Sequence, residues 1–186
     1  YSAIVIFGGP MSVNDDEQFI RDEIEWMKKV IESKIPFLGI CLGAQILAKY
    51  LGCDVIKNKN NLAEIGFYEI EPVGEGDKIF KNQNVFYQFH VEGFEIPTGC
   101  QLLARGEAFK NQAFKYKNCY ALQFHPEVNF FLHLKWIILV LIKKPKILFH
   151  AGSQNLFYQF YLRFKHNKSV SVWLDSFLDN YFLATK

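Results

Sequence analysis

Two short stretches of this 186-residue chain carry residues whose types and spacing could do chemistry. The first is Pro36-Phe37-Leu38-Gly39-Ile40-Cys41-Leu42-Gly43-Ala44-Gln45: an apolar run, then Gly-x-Cys-x-Gly, then a sequence that reads as helix. A nucleophile between two glycines at a strand-to-helix turn sits on a tight, strained bend that holds its side chain clear of the backbone, beside the free amides of a helix N-terminus. The second stretch, Gln123-Phe124-His125-Pro126-Glu127-Val128, closes another apolar run. A cysteine nucleophile acts through its thiolate, which an ordinary thiol of pKa roughly 8.5 supplies poorly at neutral pH, so a base must stand beside it. His125, fixed by Pro126 and followed two residues on by Glu127, meets that need, with the carboxylate orienting the imidazole. Against this stand plainer readings: a small buried cysteine and a satisfied core histidine. The elbow glycines and the His-x-Glu spacing favour nucleophile, base and orienting acid.

Such side chains need a rigid frame. Ala3-Ile4-Val5-Ile6-Phe7 is a continuous, mostly β-branched run closed by Gly8-Gly9-Pro10, as expected of a strand buried on both faces of a parallel sheet. Over residues 14–34, acids crowd the start and lysines the end, while Ile20, Ile24, Met27 and Ile31 recur at helical spacing. A strand at 36–40, the elbow, and a helix over 42–51 capped by Gly52 follow. This alternation predicts a doubly wound α/β fold with a mainly parallel sheet, helices on both faces, and function at the carboxyl ends of the strands. Short strand-like runs at 53–57, 67–71, 85–89, 100–105, 112–116 and 119–124 predict a β-hairpin extension. Cys53, Cys100 and Cys119 fall in these runs and read as core.

Beyond Asn129 the chain turns rich in Phe, Lys, Leu and Ile. The run 136–142, flanked by lysines, is too short to cross a membrane and predicts a buried element. Residues 169–183 predict a final helix, the aromatics Phe157, Tyr158, Phe160, Tyr161 and Phe164 predict core and helix packing, and 143–168 carry no readable pattern. His133, His150 and His166 show no partner pattern. No repeat or linker divides the chain, so one domain over 1–186 is expected, with 130–186 as a divergent tail. A net charge of +2 with scattered Lys and Arg gives no footprint for nucleic acid. Four cysteines without C-x-x-C or zinc-ligand spacing point to no metal and to a reducing cytoplasm.

Together, Phe7-Gly8-Gly9-Pro10, the Gly39 to Gln45 elbow and Gln123-Phe124-His125-Pro126-Glu127-Val128 resemble the three signatures of class I glutamine amidotransferases. Glu64-Ile65-Gly66-Phe67 and Phe109-Lys110-Asn111-Gln112-Ala113-Phe114 resemble the stand-alone branch similar to the amidotransferase domain of GMP synthase. The resemblance covers residues 1–129. It implies that Cys41 attacks the side-chain amide of L-glutamine, that His125 passes a proton to the departing ammonia, that Glu127 orients His125, and that water hydrolyses a γ-glutamyl thioester. The backbone N–H groups of Leu42 and Gly9 would hold the oxyanion, the small residues Gly8 and Gly9 letting that backbone approach the substrate. Gln45, one turn past Cys41 on the same helix face, and His90, in the segment 88–92, are implied substrate contacts. At that segment this chain has His-Val-Glu where close relatives more often show His-Gly-Asp.

No P-loop, ATP-pyrophosphatase motif or dinucleotide fingerprint is present, so the resemblance implies no cofactor, no membrane or nucleic-acid partner, and a separate synthetase chain receiving ammonia. Relatives place a further strand, helix and strand ahead of the position of Tyr1; without them the first strand would be an exposed sheet edge. Two alternatives keep the fold but change the function: hydrolysis of another γ-glutamyl amide, and a catalytically inactive binding or regulatory module.

Overall fold

A computed structural model describes residues 1–184. In chain order the elements are β1 (Ile4–Ile6), α1 (Gln18–Ser33), β2 (Phe37–Ile40), α2 (Leu42–Tyr50), β3 (Val55–Lys57), β4 (Glu64–Glu69), β5 (Glu71–Pro72), α3 (Gly76–Ile79), β6 (Val85–His90), β7 (Glu92–Phe94), β8 (Gln101–Arg105), β9 (Ala113–Tyr116), β10 (Cys119–Leu122), α4 (Phe130–Lys143) and α5 (Leu156–Phe177). A 3-10 turn at Pro145–Phe149 joins the last two helices, and a π-helical turn at Leu178–Phe182 follows α5.

The main sheet has six strands in the order β1-β2-β10-β9-β8-β5. Its first three are parallel, as the strand and helix alternation predicts, and the rest are antiparallel. The switch has a local cause. Only Lys117 and Asn118 separate β9 from β10, far too few residues for a crossover, so the two strands must form a hairpin. β4 and β6 make a separate antiparallel ribbon, and β3 pairs with β7.

Side-chain alternation sends β2 and β10 into two cores. On one face Phe37, Cys119 and Ala121 meet Met27 and Val30 of α1 and Ile46 and Leu47 of α2. On the other, Leu38, Ile40, Tyr120 and Leu122 meet Phe80, Phe86 and Phe124, together with Val170, Trp173 and Phe177 of α5. Trp173 anchors this second layer: its indole N–H donates to the Ile79 carbonyl at 2.8 Å while its ring stacks on Phe80 with centroids 5.4 Å apart. β1 forms one edge of the sheet, with Phe7 just beyond it exposed.

The tail departs from its sequence reading in three ways. Helix α5 begins at Leu156, well before 169, because Asn155 caps it by accepting from the Tyr158 N–H. The run 136–142 is not a buried element: of it only Ile137 is buried, and Ile142 is 73 % exposed, since α4 lies on the surface of the body and buries only His133 and Ile137 fully, with Leu132 and Trp136 partly covered. The aromatic series is likewise mostly outside, with Phe157, Tyr158, Tyr161 and Phe164 exposed while Gln159 and Arg163 of the same helix are buried. No helix among the described residues is long and apolar enough to cross a membrane.

Candidate active site

Parallel pairing of β2 with β10 brings the two chemical stretches to one end of the sheet. Leu122 lies opposite Ile40 in the register, and the Cys41 N–H donates to the Leu122 carbonyl at 2.8 Å. The elbow glycines are explained by contact. A Cβ on Gly39 would lie 2.5 Å from the Gly43 carbonyl group, and one on Gly43 would collide with the Ile6 carbonyl oxygen. With both positions bare, α2 crosses β1 and β2 closely, and Cys41 is forced to φ 50°, ψ −105°. For a residue with a Cβ that backbone costs about 1–3 kcal/mol, which the surrounding packing must hold. The first helical bond of α2 runs from the Gln45 N–H to the Cys41 carbonyl at 3.0 Å. The N–H groups of Leu42, Gly43 and Ala44 precede it, in the turn where a helix leaves amides unpaired.

His125 sits just past β10, its backbone N–H donating to the Tyr87 carbonyl at 2.8 Å. Its Nδ1 lies 2.7 Å from Glu127 Oε1, and its ring and Cys41 both border the bare Cα of Gly8. The Trp136 indole meets the imidazole edge-on at 5.0 Å. Burial alone would push the imidazole pKa down; the charges of Cys41 and Glu127 outweigh it and raise it to about 10, so His125 holds its proton at neutral pH. Gly8 is required by this geometry, because a Cβ there would lie 2.6 Å from His125 Cε1 and 3.2 Å from Cys41 Cβ.

A buried polar network floors the site. Gln123 Nε2 reaches Cys41 Sγ at 3.7 Å and its Oε1 accepts from Gln45 Nε2, which also donates to the Glu92 carbonyl. His90 is held at both nitrogens, Nδ1 by the Glu92 carbonyl at 2.9 Å and Nε2 by Gln88 and Glu64, each at 3.1 Å. Gln112 ties Glu64 to Gln88, and Ser12 donates to the Glu92 carboxylate at 2.6 Å.

Two adjoining cavities share Cys41, Gly9, Phe89, Leu139 and Val140. One, of about 310 Å³, is walled by Leu42, Gln45, His90 and Glu92 and has Lys143 and Lys144 at α4. The other, of about 270 Å³, is walled by Gly8, His125 and Trp136. Of the eight residues singled out in the sequence, seven line these cavities, and Glu127 stands behind His125. Gln45 and His90 are present but already bonded to protein groups through the amide nitrogen and both ring nitrogens. The sequence reading missed Gln123, although its spacing of two from His125 puts both on one side of an extended chain. It also missed Trp136, Leu139 and Val140, which carry no short-range signal.

The profile of the family "Glutamine amidotransferase class-I" matches residues 1–135. The chain belongs to this family. Among its curated relatives, the glutamine-hydrolyzing GMP synthase of Bacillus licheniformis is 38 % identical over 131 residues, 68 % of this chain and 24 % of the relative. A glutamine-hydrolyzing GMP synthase subunit from Pyrococcus abyssi is 34 % identical over 137 residues, 68 % of this chain and 66 % of the relative. The chain thus spans about a quarter of the length of the first of these relatives. A crystal structure of a glutamine amidotransferase from Thermotoga maritima superposes with a TM-score of 0.86 at 30 % identity, covering 98 % of this chain and 78 % of that one. That match takes in the tail, beyond the residues 1–135 that the family profile matches.

Proposed function

We propose that the chain hydrolyses the side-chain amide of L-glutamine through Cys41, His125 and Glu127. Cys41 adds to the amide carbon and the oxyanion is met by the N–H groups of Leu42 and Gly9. His125, carrying its proton at neutral pH, gives that proton to the leaving nitrogen. Ammonia departs, a γ-glutamyl thioester remains on Cys41, and water, deprotonated by His125, releases glutamate. Glu127 orients the ring and stabilises its charged form. Ammonia then passes to an acceptor site on a separate synthetase chain, a reading supported by the Pyrococcus relative, which is named as one subunit of its enzyme.

The observation that carries this reading is that His125 and Cys41 wall one cavity while His125 Nδ1 lies 2.7 Å from Glu127 Oε1. Hydroxylamine tests it, because it intercepts a γ-glutamyl thioester as the hydroxamate. Glutamine plus hydroxylamine should yield γ-glutamyl hydroxamate with the unmodified chain and none with Cys41→Ala. Ammonia release that persists in Cys41→Ala would sink the assignment.

One observation favours a second reading, hydrolysis of a γ-glutamyl amide with an apolar substituent on the leaving nitrogen. The leaving group must face His125, and that compartment is walled by Phe89, Trp136, Leu139 and Val140. Ammonia does not need such a wall, whereas an alkyl or aryl amine buries apolar area against it. Comparing kcat/KM for glutamine with that for γ-glutamyl anilide and γ-glutamyl butylamide separates the two. A preference for the amides of at least about tenfold selects the second reading, a difference of about 1.4 kcal/mol in transition-state binding.

A further inference from the structure

We propose that Trp136, on α4, is a positioning residue for the reaction: its indole braces the His125 imidazole from the side and keeps the ring turned toward Cys41. The proposal rests on the triad reading above and goes beyond it, because it gives a residue of the tail a part in the chemistry. Trp136 is the first residue past the 1–135 that the family profile matches.

His125 is tethered at two points, its backbone N–H to the Tyr87 carbonyl and its Nδ1 to Glu127 Oε1. A ring held only there can still rock and swing its Cε1–Nε2 edge away from the nucleophile. Two contacts remove that freedom. Gly8 lies against this edge, where an added Cβ would come within 2.6 Å of Cε1 and 3.2 Å of Cys41 Cβ. Trp136 meets the imidazole with ring centroids 5.0 Å apart and planes at 89°. That is the edge-to-face arrangement aromatic pairs favour, and it resists rotation of either ring.

The brace is itself held. The indole lies 6.0 Å from the Phe89 ring at 64°, and 6.4 Å from that of Tyr87, whose carbonyl carries the His125 backbone. Asn129 caps α4 by accepting from the Leu132 N–H at 3.0 Å, and the neighbours of Trp136 in the helix, His133 and Ile137, are buried. Trp136, His125, Cys41 and Phe89 wall one cavity, so the indole stands beside the reacting atoms. An indole offers one N–H donor and no base, so its part is geometric. Misplacing a reacting group by about 1 Å costs about 10²-fold, and such a loss falls on kcat rather than on substrate binding.

Two readouts test this. With glutamine, Trp136→Ala should lower kcat about tenfold and change KM by less than about twofold. Trp136→Phe, which keeps an aromatic edge, should recover most of the loss, whereas Trp136→Leu, which only fills space, should not. Without glutamine, the rate of Cys41 alkylation by iodoacetamide in the full chain is measured for Trp136→Ala with His125 present and in a His125→Ala background. Any change in access to Cys41 enters both backgrounds and cancels in the ratio. Trp136→Ala should slow alkylation about fivefold more when His125 is present than when it is absent. Equal factors in the two backgrounds, or a Leu variant as active as the Phe variant, would overturn the proposal and leave Trp136 a wall of the cavity. Should Trp136→Ala fail to fold, the Leu and Phe variants, which keep apolar bulk there, still decide. An alkylation rate that His125→Ala alone leaves unchanged would instead undo the triad reading, and this proposal with it.

Discussion

His125 and His133 both contact Tyr87, one through its backbone and the other through its ring, both are buried, and they are driven to opposite charge states. His125 belongs to the segment that ends at Asn129; two negative partners overcome its burial and raise its pKa to about 10. His133 belongs to the tail; burial and then Arg163 lower its pKa to about 4. The contrast extends to the regions that carry them. Up to Asn129, reactive side chains are set by short-range backbone constraints, such as the bare contact of Gly39 with Gly43 and the forced φ of Cys41. After Asn129, nothing reactive is set, but the tail closes one core with Trp173 and Phe177 and walls the cavities with Trp136, Leu139 and Val140. One region supplies the reaction and the other supplies its enclosure.

If the tail were an appendage, trimming its anchor would leave the rest intact, and Trp173→Ala tests this most severely. We expect a loss of about 3–5 kcal/mol from the cavity and the broken bond to Ile79. Urea unfolding followed by tryptophan fluorescence and by circular dichroism should still give coincident single transitions, as for one domain over 1–186. Two separated transitions would divide the chain at 129. On the other side of the comparison, Gly8→Ala should cut kcat by about 10²-fold through displacement of His125, with little change in KM. Steady-state kinetics read this directly.

The two histidines give pH signatures of opposite sign. For His125 the folded pKa lies above the ordinary 6.5, so its proton stabilises the fold below pH 6.5 and that contribution fades as pH rises toward 10. For His133 the folded pKa lies below it, so the unfolded chain binds the proton first and stability falls as pH drops from 6.5 toward 4. His133→Phe should flatten this acid slope in the urea midpoint while leaving the alkaline side unchanged. Smallest of all, Ile142→Ser on the outer face of α4 should change stability by no more than about 0.5 kcal/mol, as measured by the same melts.

Local devices were legible in the sequence. The elbow, the amphipathic α1 and the His-x-Glu pair each declare themselves within a few residues, and the parallel arrangement of the first strands follows from their alternation with helices. What lay beyond reach depends on partners distant in sequence. Hydrophobicity says that residues 136–142 avoid water, but not whether a neighbour covers them, and here α4 lies on the surface of the body and leaves most of that run uncovered. Arg163 could not be placed at all, because its guanidinium is buried over the rings of Phe67 and Tyr87, which are brought to it only by tertiary packing. The start of α5 was readable in principle, for Asn155 is an ordinary capping residue, yet the mixed helix behind it hides the periodicity.

The most direct measurement is covalent labelling with a glutamine-analogue electrophile, 6-diazo-5-oxo-L-norleucine, followed by peptide mass spectrometry. The account predicts one adduct per chain, on Cys41, formed faster than on Cys53, Cys100 or Cys119 and slowed in His125→Ala. An unlabelled Cys41 in the folded chain, or labelling that ignores His125, would contradict it.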